Sequence, residues 1–155
     1  MLEGLARALW DGGDFQAAEA TYRDAIRHRH DATPESLTEA AGWGFLGELL
    51  GTQSDHEGAM AAYRQALALR EAQAPDSLWT AVSLIGLGNN STDPAAGEEF
   101  YGRAAAIAEG TVPDGPTMSA ALMGSGNVAE VRGDLAAAER FWKRSLAIDE
   151  KLNPA

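Results

Sequence analysis

The chain writes one amphipathic helix pattern four times, and that periodicity restricts its fold more than any other feature. Residues 13–26 and 133–146 align without a gap, and two weaker copies lie between them. The weaker copies centre on Ala59, Tyr63 and Ala66 and on Gly97, Tyr101 and Ala104. The aromatic anchors Tyr22, Tyr63, Tyr101 and Trp142 are 41, 38 and 41 residues apart, and Pro34, Pro75, Pro113 and Pro154 keep the same spacing. Two unrelated residue types on one irregular period mark stacked supersecondary repeats, each burying its apolar face against its neighbours.

Each repeat reads as two helices. The second helix of repeat one begins near Asp14. Phe15, Ala18, Tyr22, Ala25 and Ile26 fall on one face, because their offsets follow the helical period. Repeat two shows the same face with Ala59, Tyr63, Ala66 and Leu67. Ser54 and Glu57 offer a capping box there. Asp93 and Pro94 supply a cap and a first-turn proline in repeat three. The first helices follow the prolines. Thr33, Pro34, Glu35 and Ser36 bring a cap, a proline and an acid ahead of a helix over 37–50. Further first helices are predicted over about 78–89 and up to about 131. Glycine-rich or polar stretches at 11–13, 51–54, 89–93 and 132–133 make the turns. The prediction is eight helices in one domain, with repeats at 1–33, 34–74, 75–113 and 114–155. Repeat three is the weakest, with Gly97 where the others hold alanine and Gly86, Gly88 and Gly102 at helical positions. Each interior glycine costs roughly 0.5–1 kcal/mol against alanine. Hydrogen exchange is therefore expected to be faster over 86–103 than over 134–148.

These residues resemble a known family. Trp43, Leu46, Gly47 and Leu50, then Ala59, Tyr63 and Ala66, then Pro75, look like the tetratricopeptide pattern. Repeat four matches it with Leu122, Gly126, Ala129, Gly133, Ala138, Trp142, Ser145 and Pro154. The stretches 63–70 and 145–151 resemble the longer version of roughly 42 residues, as in kinesin light chains and bacterial NB-ARC-type regulators. The resemblance implies an all-α fold, a right-handed α-solenoid of about four antiparallel helix pairs. Repeat one departs from the pattern, with Leu2 and Ala6 where tryptophan and glycine are expected, and repeat three aligns only with a one-residue shift. A fifth first helix would begin where the sequence stops. The chain is then either a piece of a longer protein or a module whose open end meets another subunit. Trp43 and Trp142 fall on packing positions of the family and read as core. Trp10 and Trp79 do not: Trp10 either covers the N-terminal end or joins the core, or it faces the groove.

Composition narrows the chemistry. A formal net charge of −11, from 23 acidic and 12 basic residues, repels phosphate backbones and argues against nucleic acid as a partner. There is no cysteine, so disulfide frameworks and thiolate metal sites are excluded. No apolar run approaches the ~18 residues of a membrane span, and residues 1–10 lack a signal-type core, which makes the cytoplasm the expected location. Arg23, Arg27, His28, Arg29 and His30 form the one basic cluster, either a solvated helix face or a patch for an acidic partner. His28 and His30 point apart on a helix and His56 lies in another repeat, so no metal site is expected. Gly86–Asn90 ends a helix instead of following a strand, which removes a phosphate-loop reading. Neither an enzyme nor a cofactor is expected.

In tetratricopeptide arrays the first helices line a concave groove that takes a peptide or partner element. Carried over by position, that groove comprises Glu3, Arg7, Trp10 and Asp11; Gly44, Glu48 and Thr52; Ser83, Leu87 and Asn90; and Met123, Asn127 and Glu130. Offsets of 3 and 4 place each set on one stripe. Arg7 is the only cation among them, which argues against a clamp for a C-terminal carboxylate. The expected partner is a protein or peptide of basic or apolar character. Two alternatives remain: a homo-oligomer formed through the open ends, and the sensor region of a larger bacterial signalling regulator.

Overall fold

The computed structural model describes residues 2–154 and contains, among them, eight helices and no strand. They fall into two compact units, residues 1–75 and 76–155. The N-terminal unit holds α1 (Leu2–Asp11), α2 (Phe15–Ala32), α3 (Leu37–Thr52) and α4 (His56–Gln73). The C-terminal unit holds α5 (Leu78–Asn90), α6 (Pro94–Thr111), α7 (Pro116–Val131) and α8 (Leu135–Leu152). In each unit the helices pack in consecutive pairs, and the second helix of the first pair also packs on the first helix of the next. The fold is an all-α helical repeat.

Every second helix starts on an aspartate. Asp14, Asp55, Asp93 and Asp134 accept from the backbone N–H of Ala17, Gly58, Ala95 and Ala137, satisfying a donor that the first turn leaves open. The capping box expected at Ser54 is therefore corrected by one residue. Ser54 reverses the chain at φ 62°, where repeats one and four place Gly13 (φ 83°) and Gly133 (φ 80°), and Asp55 is left to cap. Pro34 and Pro75 lie in the turns ahead of the first helices, whose caps are Ser36 and Ser77. Thr33 ends α2 instead of opening α3.

The anchors organise the core. Tyr22, Tyr63 and Tyr101 are buried, and each of the last three anchors meets a glycine on the first helix of its own repeat. A Cβ on Gly47 would fall 2.9 Å from the Tyr63 ring, and one on Gly88 2.6 Å from the Tyr101 ring. A Cβ on Gly126 would fall closer than 3.0 Å to the Trp142 indole. Fully buried Ala6 stands at the corresponding place in repeat one. This contact fixes the register of α5: Gly88 aligns with Gly47 and Gly126. The glycines of repeat three thus differ in kind. Gly88 admits a ring and a Cβ on Gly97 would fall 3.1 Å from Val128, whereas Gly102 borders open space.

Candidate protein-binding face

In the N-terminal unit the predicted residues of repeats one and two do meet. Arg7 Nε lies 3.3 Å from Asp11, its Nη1 lies 3.9 Å from Glu48, and its guanidinium stacks 4.6 Å from the centre of the Trp10 ring. Trp10 is half-buried under that cation. The one cation foreseen on the stripe is thus held between two carboxylates, which leaves the face acidic. Thr52 is exposed, its hydroxyl donating to the Leu49 carbonyl at 2.7 Å. Sequence reasoning missed Arg70 of α4. Its guanidinium is buried beside Gly44, where a Cβ would fall 3.2 Å from Nη2. Burial lowers the Arg70 pKa and pushes Tyr63 up to about 12, with Glu48 adding to the tyrosine's shift.

The basic cluster of α2 is met by carboxylates. Arg23 pairs with Glu19, Arg27 with Asp24 at 2.6 Å and Arg29 with Glu3 at 2.8 Å. His30 Nδ1 lies 3.3 Å from both oxygens of Glu39. The cluster is a solvated, paired helix face.

In the C-terminal unit the expectation for repeat three needs correction. Ser83, Leu87 and Asn90 are buried, and the Asn90 amide donates to Gly86 O at 2.9 Å. The reason is register: with Gly88 on the anchor, the stripe equivalent to Gly44 and Glu48 is Ile85 and Asn89. Trp79 and Val82 continue it along α5 at helical spacing, and both are exposed. On α7, Met123, Asn127 and Glu130 are exposed as foreseen from their positions. Large exposed apolar side chains on one stripe were the signal available for Trp79 and Val82.

Asn89 and Asn127 line one cleft of about 390 Å³, together with Asp93, Tyr101, Gly124 and Val128 among others. Both amides are oriented from beneath. The Tyr101 hydroxyl donates to Asn89 Oδ1 at 2.7 Å, and the Trp142 indole N–H donates to Asn127 Oδ1 at 3.2 Å. Each carbonyl oxygen faces the anchor of its own repeat, so each NH₂ is turned away from it as a donor. These bonds also explain the half-buried state of Trp142, whose indole keeps its polar edge toward α7. Trp43 is half-buried as well, and its N–H points to Glu39 at 3.5 Å. The reading of both tryptophans as core is corrected accordingly.

Among the described residues no group of three or more His, Asp or Glu could hold a metal, and no helix is long and apolar enough to cross a membrane. Paired helices with side chains presented in register on the first helix of each pair define a helical-repeat architecture. Residues 4–77 match the family model described as tetratricopeptide repeat. That match covers a little under half of the chain, essentially the N-terminal unit; for the C-terminal unit the likeness is one of fold. No curated protein sequence matches it. Among solved structures it is similar to BtubC (BKLC) from P. vanneervenii, with 22% identity and a TM-score of 0.87, covering 99% of this chain and 64% of that one. It is also similar to the nearly identical TPR-like repeats assigned to a kinesin light chain of Podosopora anserina, at 16% identity and a TM-score of 0.76, covering 99% and 76%. A third likeness is to a MamA RS-1 ArsTM double mutant, at 15% identity and a TM-score of 0.70, covering 99% and 76%. The chain spans less than two thirds of the length of the first of these. Such repeats are generally non-enzymatic modules that bind protein partners.

Proposed function

We propose that the first-helix face of the C-terminal unit binds an extended peptide segment of a protein partner. Asn89 and Asn127 donate to backbone carbonyls of that segment, while Trp79, Val82 and Met123 contact its apolar side chains. The orientation of the two amides carries this reading. With both carbonyl oxygens occupied by the anchors, the cleft offers donors, and a strand's carbonyls are the acceptors a peptide supplies at regular spacing. In the N-terminal unit, the acidic face around Asp11 and Glu48 favours basic residues in whatever protein segment it meets.

The test is a peptide-display selection followed by calorimetry on the selected peptide. Asn127→Asp and Asn89→Asp keep the acceptor for Trp142 or Tyr101 and remove the donor. A net hydrogen bond of about 1 kcal/mol corresponds to roughly five- to tenfold in affinity, so each variant is expected to weaken binding by about that factor. Unchanged affinity in both folded variants would overturn the assignment.

A further inference from the structure

Repeat three is short in one place. α5 has 13 residues where α3 and α7 have 16 each. All three start the same distance ahead of the glycine that meets the anchor: Leu37 before Gly47, Leu78 before Gly88 and Pro116 before Gly126. The shortfall therefore lies at the C-terminal end of α5, and it removes about 4.5 Å of helix, nearly one turn. The connection that follows differs as well. Gly13, Ser54 and Gly133 turn in the left-handed region, whereas Ser91 is extended at φ −81° and ψ 132°. Asp93 accordingly caps Ala95, two residues on, where Asp14, Asp55 and Asp134 cap the residue three on.

The cleft of about 390 Å³ lies where that turn is missing, its lining running from the end of α5 through residues 91–94 to α6 and across to α7. Val128 and Val131 give it an apolar wall, and Val131 is 72% exposed. Among the described lining residues Asp93 alone is charged, and among the described residues no cation pairs with it. Burial raises the Tyr101 pKa, so the phenol stays neutral and keeps its bond to Asn89. A helix N-terminus ordinarily draws anions. Here Asp93 already occupies a first-turn donor of α6 and brings its own negative charge, which repels a carboxylate or phosphate. Its carboxylate keeps acceptor capacity beyond the one bond to Ala95.

We propose that a lysine or arginine side chain of the bound peptide fills this cleft, its aliphatic stem along Val128 and Val131 and its charge at Asp93. The inference rests on the reading of the C-terminal face as a peptide site and names the residue class that the site selects. Asn89 and Asn127 both line the cleft, so a backbone held by their NH₂ groups runs past its mouth and delivers a side chain directly. Long basic side chains suit such a place, because the stem covers apolar surface while the head stays at a polar edge.

Nuclear magnetic resonance on the nitrogen-15-labelled full chain tests this, with blocked tripeptides Ala-X-Ala in which X is arginine, lysine, glutamine or glutamate. The signals followed are the side-chain amides of Asn89 and Asn127 and the backbone amides of residues 91–97. The arginine and lysine peptides are expected to bind roughly two- to fivefold more tightly than the glutamine peptide, and the glutamate peptide more weakly still. Asp93→Asn keeps an N-cap acceptor and should bring arginine and lysine down to the level of glutamine. Equal affinities for all four peptides overturn the assignment, as do a basic preference that Asp93→Asn leaves intact and the absence of any response to arginine and lysine. The donor role of the amides is read separately, on the selected peptide with Asn89→Asp and Asn127→Asp. Weakened binding there without a basic preference here overturns the cleft assignment alone, whereas unchanged affinity there removes the backbone reading beneath it.

Discussion

Replacing Gly124 by alanine should destabilise the protein, although alanine is the better helix former. Alanine in a helix interior gains about 0.5–1 kcal/mol over glycine. At this position the new methyl would lie closer than 3.0 Å to the Tyr101 ring. The ring has little freedom to retreat. Gly88 of α5 bounds it so closely that a Cβ there would fall 2.6 Å from the ring, and its hydroxyl donates to Asn89 Oδ1 at 2.7 Å. Overpacking of this kind costs typically about 1–3 kcal/mol, so the net loss should be about 1–2 kcal/mol. In a protein of this size that lowers Tm by several degrees, at about 2–4 °C per kcal/mol. Gly102→Ala is the matched comparison on the same chain. It lies inside α6 with nothing within 4 Å of an added Cβ, so it should gain about 0.5–1 kcal/mol. Urea unfolding followed by far-ultraviolet circular dichroism measures both. A Gly124→Ala chain as stable as the wild type, or more stable, would refute the argument that this glycine exists to seat a ring.

Stability should also fall at alkaline pH. Burial, aided by Glu48 and opposed by Arg70, pushes Tyr63 up to about 12 in the folded chain, whereas an unfolded tyrosine titrates near 10. The folded state holds the proton more tightly, so this contribution is complete below pH ~10 and is lost as pH rises toward ~12, on the order of 2 kcal/mol in all. Unfolding free energies that stay flat across that window would contradict it. Asp134→Ala removes the side-chain acceptor for Ala137 N–H and should cost about 1 kcal/mol, while Asp134→Asn, which keeps an acceptor, should cost much less. Breaking the exposed Arg132–Glu98 pair by Glu98→Gln should change stability by less than about 0.5 kcal/mol, since both side chains remain largely solvated.

Much of the architecture was legible because spacing carries it. The anchors, the prolines and the polar turns name the eight helices, and the helix termini fall within a few residues of those expected. The aspartate caps keep the same beat as the anchors, yet Ser54 and Glu57 match the capping-box pattern one residue ahead of Asp55. Periodicity cannot show which of two adjacent candidates is forced into the left-handed turn, and the backbone at Ser54 decides it. The register of α5 was obscured because Gly86 and Gly88 both offer a small residue and repeat three is three residues shorter. Only the contact with Tyr101 separates them, and with it Ser83, Leu87 and Asn90 move inward while Asn89 moves out. The amide orientations were beyond sequence reasoning altogether, since they depend on a hydroxyl and an indole one helix away.

The two ways of seating an anchor bear on how such a chain can diverge. Tyr22 meets the broad ring of Phe45, whereas Tyr101 is let into a notch made by Gly88 of its own repeat and Gly124 of the next. A recombination event that cut at the loop prolines and joined repeat three to repeat two would set Phe45 against a ring that needs empty space. The heritable block is therefore one helix longer than the helix pair that the periodicity suggests, and copies of this repeat cannot be shuffled freely. Drift at an anchor has to be answered across a loop, in a helix that the alignment assigns to a neighbour.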